Sequence, residues 1–215
     1  MIHGMTCCRT VLVAPLSIWL SLGLTAPGNA QSRLALQSTP TLKVFVYTFA
    51  GAPPYALEGA ENEASRILRP AQVELRWMDC ASRAHAVSCE SPRAAADLII
   101  RFLPKALPQV SASALGIAGS SGGYATAFIF YDRVLALRTH TRLVPQMLGR
   151  VLAHEITHLL LPHEDHSGFG LMRGQWSADD LRATSAAGFG LSERSARLMH
   201  IEALQKMSSA AAMTE

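Results

Sequence analysis

The chain has 215 residues, 49% of them hydrophobic and 16% charged, and 19 Lys+Arg against 16 Asp+Glu leave a formal net charge of +3. That length supports one domain with its own core and is short for two of ordinary size. The basic residues are scattered, with no run of them. The clustered basic face that a nucleic-acid partner needs is missing, so none is expected.

At the start, Arg9 precedes the apolar run "VLVAPLSIWLSLGLTA" (11–26), and the small residues "APGNA" lead to Gln31. This positive, apolar, small-residue order predicts a secretory signal peptide over 1–30, cleaved after Ala30. The apolar run has sixteen residues and contains Pro15, whereas a spanning helix needs about 20. The expectation is a secreted or periplasmic monomer with no stable membrane association after cleavage. Cys7 and Cys8 lie ahead of the apolar run. Cys80 and Cys89 remain, nine positions apart, and in a disulfide-permissive compartment they are expected to pair with each other.

Residues 31–40 read as a flexible leader and 41–210 as a single domain. "TLKVFVYTF" (41–49) is a β-rich run that "APP" breaks. A helix is predicted over 57–69, ended by Pro70. Strands follow at 73–80, 97–104, 115–119 and 124–132, with "SSGG" turning the chain between the last two. From Pro145 to Leu161 the pattern is helical, because proline suits the first helical turn, and Pro162 stops it. Leu152, Ile156, Leu159 and Leu160 form its core-facing side. Ser177 caps a helix over 178–187 and Ser192 a last one from Glu193. The layout is α+β, a mixed twisted sheet of four to five strands on one long helix, with C-terminal helices.

The long helix carries the chemistry. In "HEITH", His154 and His158 lie four apart and share one helical face. That spacing offers two imidazoles to one ion, with the Glu155 carboxylate beside it to take a proton from a water. A catalytic zinc has three protein ligands, and His163, Glu164 and His166 all follow closely. Trp176 reads as packing beneath the loop, and His85, His140 and His200 as surface or satisfied histidines. Glu193 and Glu202 are distant helical carboxylates, but "LSERSAR" lacks the pattern of the peptidases that use one as third ligand.

The segment "HEITH…DHSGFGLM" resembles the zinc-binding segment of matrixin-type metzincin peptidases, and "ALGIAGSSGGYATAFIFYDRV" is similar to their stretch of edge strand and following strand. The chain is also similar to a group of secreted bacterial proteins with an H-E-I-x-H-L-L-L segment, a later His-Ser and a Gly-(Ile/Leu)-Met. The resemblance implies a zincin-like fold and one catalytic Zn2+ held by His154, His158 and His166. It makes Glu155 the general base and Met172 the methionine of the Met-turn. Leu115, Gly116, Ile117 and Ala118 would then offer backbone hydrogen bonds to an extended peptide or protein substrate, by strand addition. Where the metzincin pattern has a helix-ending glycine and a third His six residues after the second, this chain has Leu161 and Glu164; Gly174 stands where some metzincins have a tyrosine. The expectation is an exported zinc metallopeptidase, an endopeptidase rather than an exopeptidase, with a zinc-holding protein that does not cleave as the rival.

Overall fold

The computed structural model describes residues 39–81, 86–91, 93–138, 140–177, 179–180 and 186–212. The expected signal peptide, all of the leader before residue 39, His85 and most of the helix expected over 178–187 lie outside them. The chain runs through β1 (Thr41–Thr48), α1 (Pro54–Leu68), β2 (Glu74–Asp79), α2 (Ala86–Glu90), β3 (Leu98–Leu103), β4 (Gly116–Ser121), β5 (Tyr124–Phe130), α3 (Tyr131–Ala136), α4 (Val144–Leu160) and α5 (Glu193–Ala212). The strands form one mixed sheet in the order β2-β1-β3-β5-β4. Four are parallel; β4 alone runs antiparallel to its neighbour and ends the sheet. The α+β layout expected from the sequence is the one observed.

Period-two alternation sets the faces of the sheet. Leu42, Val44 and Val46 of β1, Leu98, Ile100 and Phe102 of β3, and Ala127 and Ile129 of β5 join one core with α1 and α4. Phe45 and Ile99, on the opposite face, are buried as well, as parallel strands in mid-sheet require. Cys80 and Cys89 form a disulfide with an S–S distance of 2.05 Å, the pairing expected from the sequence. Arg93 places its guanidinium 3.7 Å from the Phe45 ring centre, donates to the Cys89 and Ser91 carbonyls at 2.7 Å each, and reaches the Tyr47 hydroxyl.

Several boundaries differ from the sequence reading, and Ser120 and Ser121, expected in the turn, belong to β4. Proline breaks a strand but also opens a helix, since its missing N–H costs nothing at the first turn; α1 therefore starts at Pro54 and not at 57. The strand expected over 124–132 ends at Phe130, and Tyr131 and Asp132 begin α3. Gly122 and Gly123 have φ of +62° and +83°, the two-residue hairpin turn that matches strand twist. It sends β4 and β5 back along each other.

Helix α4 is buried on nearly every side, in fourteen of its 17 residues; the expected leucine side is covered, and of the histidine stripe only His158 is half-buried. Such enclosure needs close neighbours. A Cβ on Gly59 of α1 would stand 2.5 Å from the Pro145 side chain, and one on Gly149 of α4 would stand 2.5 Å from Glu63 and 2.8 Å from the Ala60 carbonyl. Glycine thus lets the two backbones meet. Pro162 follows the end of α4; the residue before a proline leaves the α region, and Leu161 sits at φ −123°, ψ 70°.

Two outcomes follow. Gly149→Ala gains up to about 1 kcal/mol of helix propensity but overpacks α1, which costs roughly 1–3 kcal/mol; a urea titration should show a net loss of stability. Burial, with Asp79 and Glu58 nearby, pushes the Glu61 carboxyl up from 4.5 to about 7. The folded state holds this proton more tightly than the unfolded one, so the contribution to stability is full below pH 4.5 and is lost as pH rises to about 7. Glu61→Gln should raise the melting temperature at pH 8 and leave it unchanged at pH 4.

Candidate metal centre

The last turns of α4 present His154 and His158, and the loop after Pro162 returns His166 to the same place. The His166 Nε2 lies 3.1 Å from the His158 Nε2 and 3.3 Å from the His154 Nε2. The His154 ring is edge-on to His158 (81°) and nearly parallel to His166 (14°). Three nitrogens arranged tetrahedrally about one zinc at 2.0–2.1 Å would stand about 3.4 Å apart. The His154 Nδ1–H donates to the Leu171 carbonyl at 2.8 Å. A neutral imidazole has one proton, so this bond turns the Nε2 lone pair toward the other two rings. Burial lowers the His154 pKa to about 4, the nearby His158 and His166 add to this, and the Leu171 bond opposes it. Burial, then His166, lowers that of His158. Both are neutral at pH 7, the form that ligates. The donor set fits a zinc ion.

The two rivals for third ligand are directed elsewhere. His163 is exposed. Glu164 accepts a hydrogen bond from Ser195 in the first turn of α5, whose N–H groups are capped by Ser192 through a 3.0 Å bond from the Ser195 N–H. A carboxylate at a helix N-terminus is favourable there, and this use takes Glu164 away from the histidines.

The return loop is held by its backbone. The Ser167 N–H donates to the Met172 carbonyl at 2.7 Å, and the Leu171 N–H to that of Gly190 at 3.2 Å. Gly170 takes φ +73° and Gly168 does not, so only the first glycine is needed for its conformation. Met172 is buried beside Leu171 in the core. At Gly174 an added Cβ would stand 3.1 Å from the His166 Cβ. The residue that stands for the metzincin tyrosine therefore lies against the third histidine, where there is little room for a side chain. Ser177 and Asp180 bond reciprocally: the Ser177 N–H donates to the Asp180 Oδ2 at 2.8 Å and the Asp180 N–H to the Ser177 Oγ at 3.1 Å. Ser177 is expected as a cap, and the reciprocal bond from Asp180 adds to it.

The histidines open onto a cleft of about 1060 Å³ whose long wall is β4. Glu155 of α4 is buried against that wall, and burial pushes its carboxyl up to about 8. Gly116 makes room for it, because a Cβ there would stand 2.7 Å from the Glu155 Oε1. The Leu115 carbonyl accepts from the Phe130 N–H at 2.9 Å. Since backbone groups alternate along an antiparallel strand, Leu115 and Ile117 point at β5, and Gly116 and Ala118 point at the open edge. Of the four residues expected to offer backbone bonds, two are so placed.

Some participants gave no signal in the sequence. The Leu171 carbonyl acts through the backbone, and any residue could have supplied it. Trp176 does more than pack under the loop: it lines the cleft, with its ring edge-on to His154 at 5.0 Å and to Phe189 at 5.2 Å. Among the other histidines, His140 is exposed, and His200 is buried with its Nδ1–H donating to the Ala71 carbonyl at 3.1 Å. Glu193 lies 3.6 Å from Arg197, and neither it nor Glu202 belongs to the ligand cluster.

No protein-family model matches the chain, and no curated protein is detectably similar to it in sequence. Among solved structures, archaemetzincin from Methanopyrus kandleri is similar in fold, with a TM-score of 0.50 over 77% of this chain and 97% of that one, at 15% identity. The chain thus has a zincin-like fold, and likeness at that identity speaks to fold alone.

The geometry has a direct consequence. His166→Ala should weaken zinc binding by at least about 100-fold, more than loss of a supporting residue around a metal, in competition with a chromophoric chelator. His163→Ala should leave affinity unchanged, and Glu164→Ala should lower the melting temperature instead. Gly174→Tyr should weaken zinc binding by crowding His166.

Proposed function

We propose that this chain is an exported zinc-dependent metallopeptidase, metzincin-like in its site, that cuts within peptide or protein substrates. One observation carries the reading: the His166 Nε2 stands 3.1 Å and 3.3 Å from the Nε2 atoms of His158 and His154, with all three ligand atoms within 4.8 Å of one another, beside a buried glutamate, on the wall of a cleft bounded by a sheet edge. His154, His158 and His166 would hold a zinc ion, which would supply Lewis acidity to polarise a carbonyl and to bring the pKa of water to about 7.

The chain's own residues do the rest. An extended substrate lies along β4 and bonds to the backbone of Gly116 and Ala118, which sets the scissile carbonyl beside the histidines. Glu155 takes the proton of the attacking water and passes it to the leaving amine. Burial alone would keep this carboxyl protonated at pH 7, and a neighbouring divalent cation favours its ionised form. The zincin-like fold supports the reading at the level of the scaffold. An intact Glu155 favours cleavage over mere zinc holding, because three imidazoles suffice to hold the ion.

Glu155→Gln should retain one equivalent of zinc while peptide cleavage falls by roughly 10²–10⁴-fold, the contribution of a general base. Metal analysis and a peptide-library digest with and without chelator read both quantities. A zinc-loaded wild type that cleaves nothing in a broad library would reject the peptidase and leave the non-cleaving binder.

A further inference from the structure

The charge lining the cleft has one dominant sign. Arg133, Arg173 and Lys206 line it, and Glu155 is the one carboxylate among the described residues that do. The chain as a whole is close to balance, 19 basic residues against 16 acidic, so this concentration is local.

The three cations are held differently. The Arg133 guanidinium donates to the carbonyls of Ser111 and Ala114 at 2.5 Å each, on the approach to β4. Carbonyls fix the position of the charge and leave it uncancelled. Arg173 already shares its charge with Asp180 at 3.1 Å. Lys206 is half-buried and makes no salt bridge among the described residues. A cation partly removed from water and lacking a counter-ion is a binding site for an anion, because the partner recovers what desolvation costs. A cleft with low-dielectric walls also focuses such a field.

The open edge of β4 determines what kind of anion fits. Gly116 and Ala118 direct backbone groups into the cleft, and an extended polypeptide can pair with them while its side chains reach the walls. We infer that the cleft selects acidic polypeptide segments, whose Asp or Glu side chains meet Lys206 and Arg133 along its walls. This rests on the reading of the cleft as a peptide site and adds the class of substrate.

The test separates the two. Fluorescein-labelled peptides of equal length, with Glu, Gln or Lys flanking a common centre, are bound to zinc-loaded Glu155→Gln protein and read by anisotropy. The same peptides are offered to wild type for cleavage. The Glu peptide should bind about tenfold more tightly than the Gln peptide at low salt, with the gap closing as salt screens the charges. Lys206→Glu, with Lys206→Ala as a milder partner, should remove at least about threefold of that preference, read as the ratio of Glu-peptide to Gln-peptide affinity. Equal binding of all three peptides, tighter binding of the Lys peptide, or equal binding of a single-stranded oligonucleotide would overturn the inference. Acidic preference in binding without cleavage by wild type would sustain it and reject the peptidase. Cleavage blind to charge would do the reverse.

Discussion

Helix α4 has to be enclosed and yet deliver polar chemistry, and much of the rest of the structure answers to that constraint. Two imidazoles and a carboxylate sit on a helix that touches α1 on one side and β4 and β5 on another. Polar groups in such surroundings are tolerated only with partners. His154 finds one in the Leu171 carbonyl, and the need for that carbonyl fixes where the chain must return after the helix. The glycines at 59, 149 and 116 serve the same end. Each removes a side chain where α4 would otherwise be held away from a neighbour.

The return loop shows how one site can be reached by a different route. Without a glycine at the end of α4, the chain turns at Leu161 and Pro162 and spends two further residues before the third histidine. Those two residues are not idle length. They allow Glu164, which stands where a six-residue return would place a ligand, to turn outward and accept from Ser195 at the head of α5. The loop is thereby tied to the C-terminal helix, and the imidazole that joins His154 and His158 is His166. Gly174 completes the exchange by leaving room against that ring. Ligand choice and helix capping are two sides of one backbone path.

A second chain of contacts braces the opposite wall of the site. Arg150, one turn before His154, is buried and stacks 4.4 Å from the Phe189 ring centre while donating to the Asp180 carbonyl at 3.2 Å. Phe189 meets Trp176, and Trp176 meets His154. Glu63 of α1 lies 3.6 Å from Arg150, so the helix pair and the segment beyond Met172 share one buried cation. The cleft therefore has one wall held by strand pairing and another held by packed rings and a guanidinium.

The sequence by itself determined the elements and the chemistry available to them. Hydrophobic period two and period 3.6 marked the strands and the long helix, and the i, i+4 spacing of His154 and His158 put two nitrogens on one face, because these are local consequences of backbone geometry. The Cys80–Cys89 pair was legible from spacing and number. What only the tertiary structure decided was everything that depends on a partner distant in sequence. The order of the strands, and hence which strand is the edge, is not written in local pattern. Nor is the use of Glu164 at the head of a helix 31 residues away, or of a backbone carbonyl to set the tautomer of His154. The direction of the Gly116 and Ala118 backbone followed from their register against β5. Residue types set which bonds can form. Which ones do form depends on which groups the fold buries together, since a buried polar group must take the partner within reach.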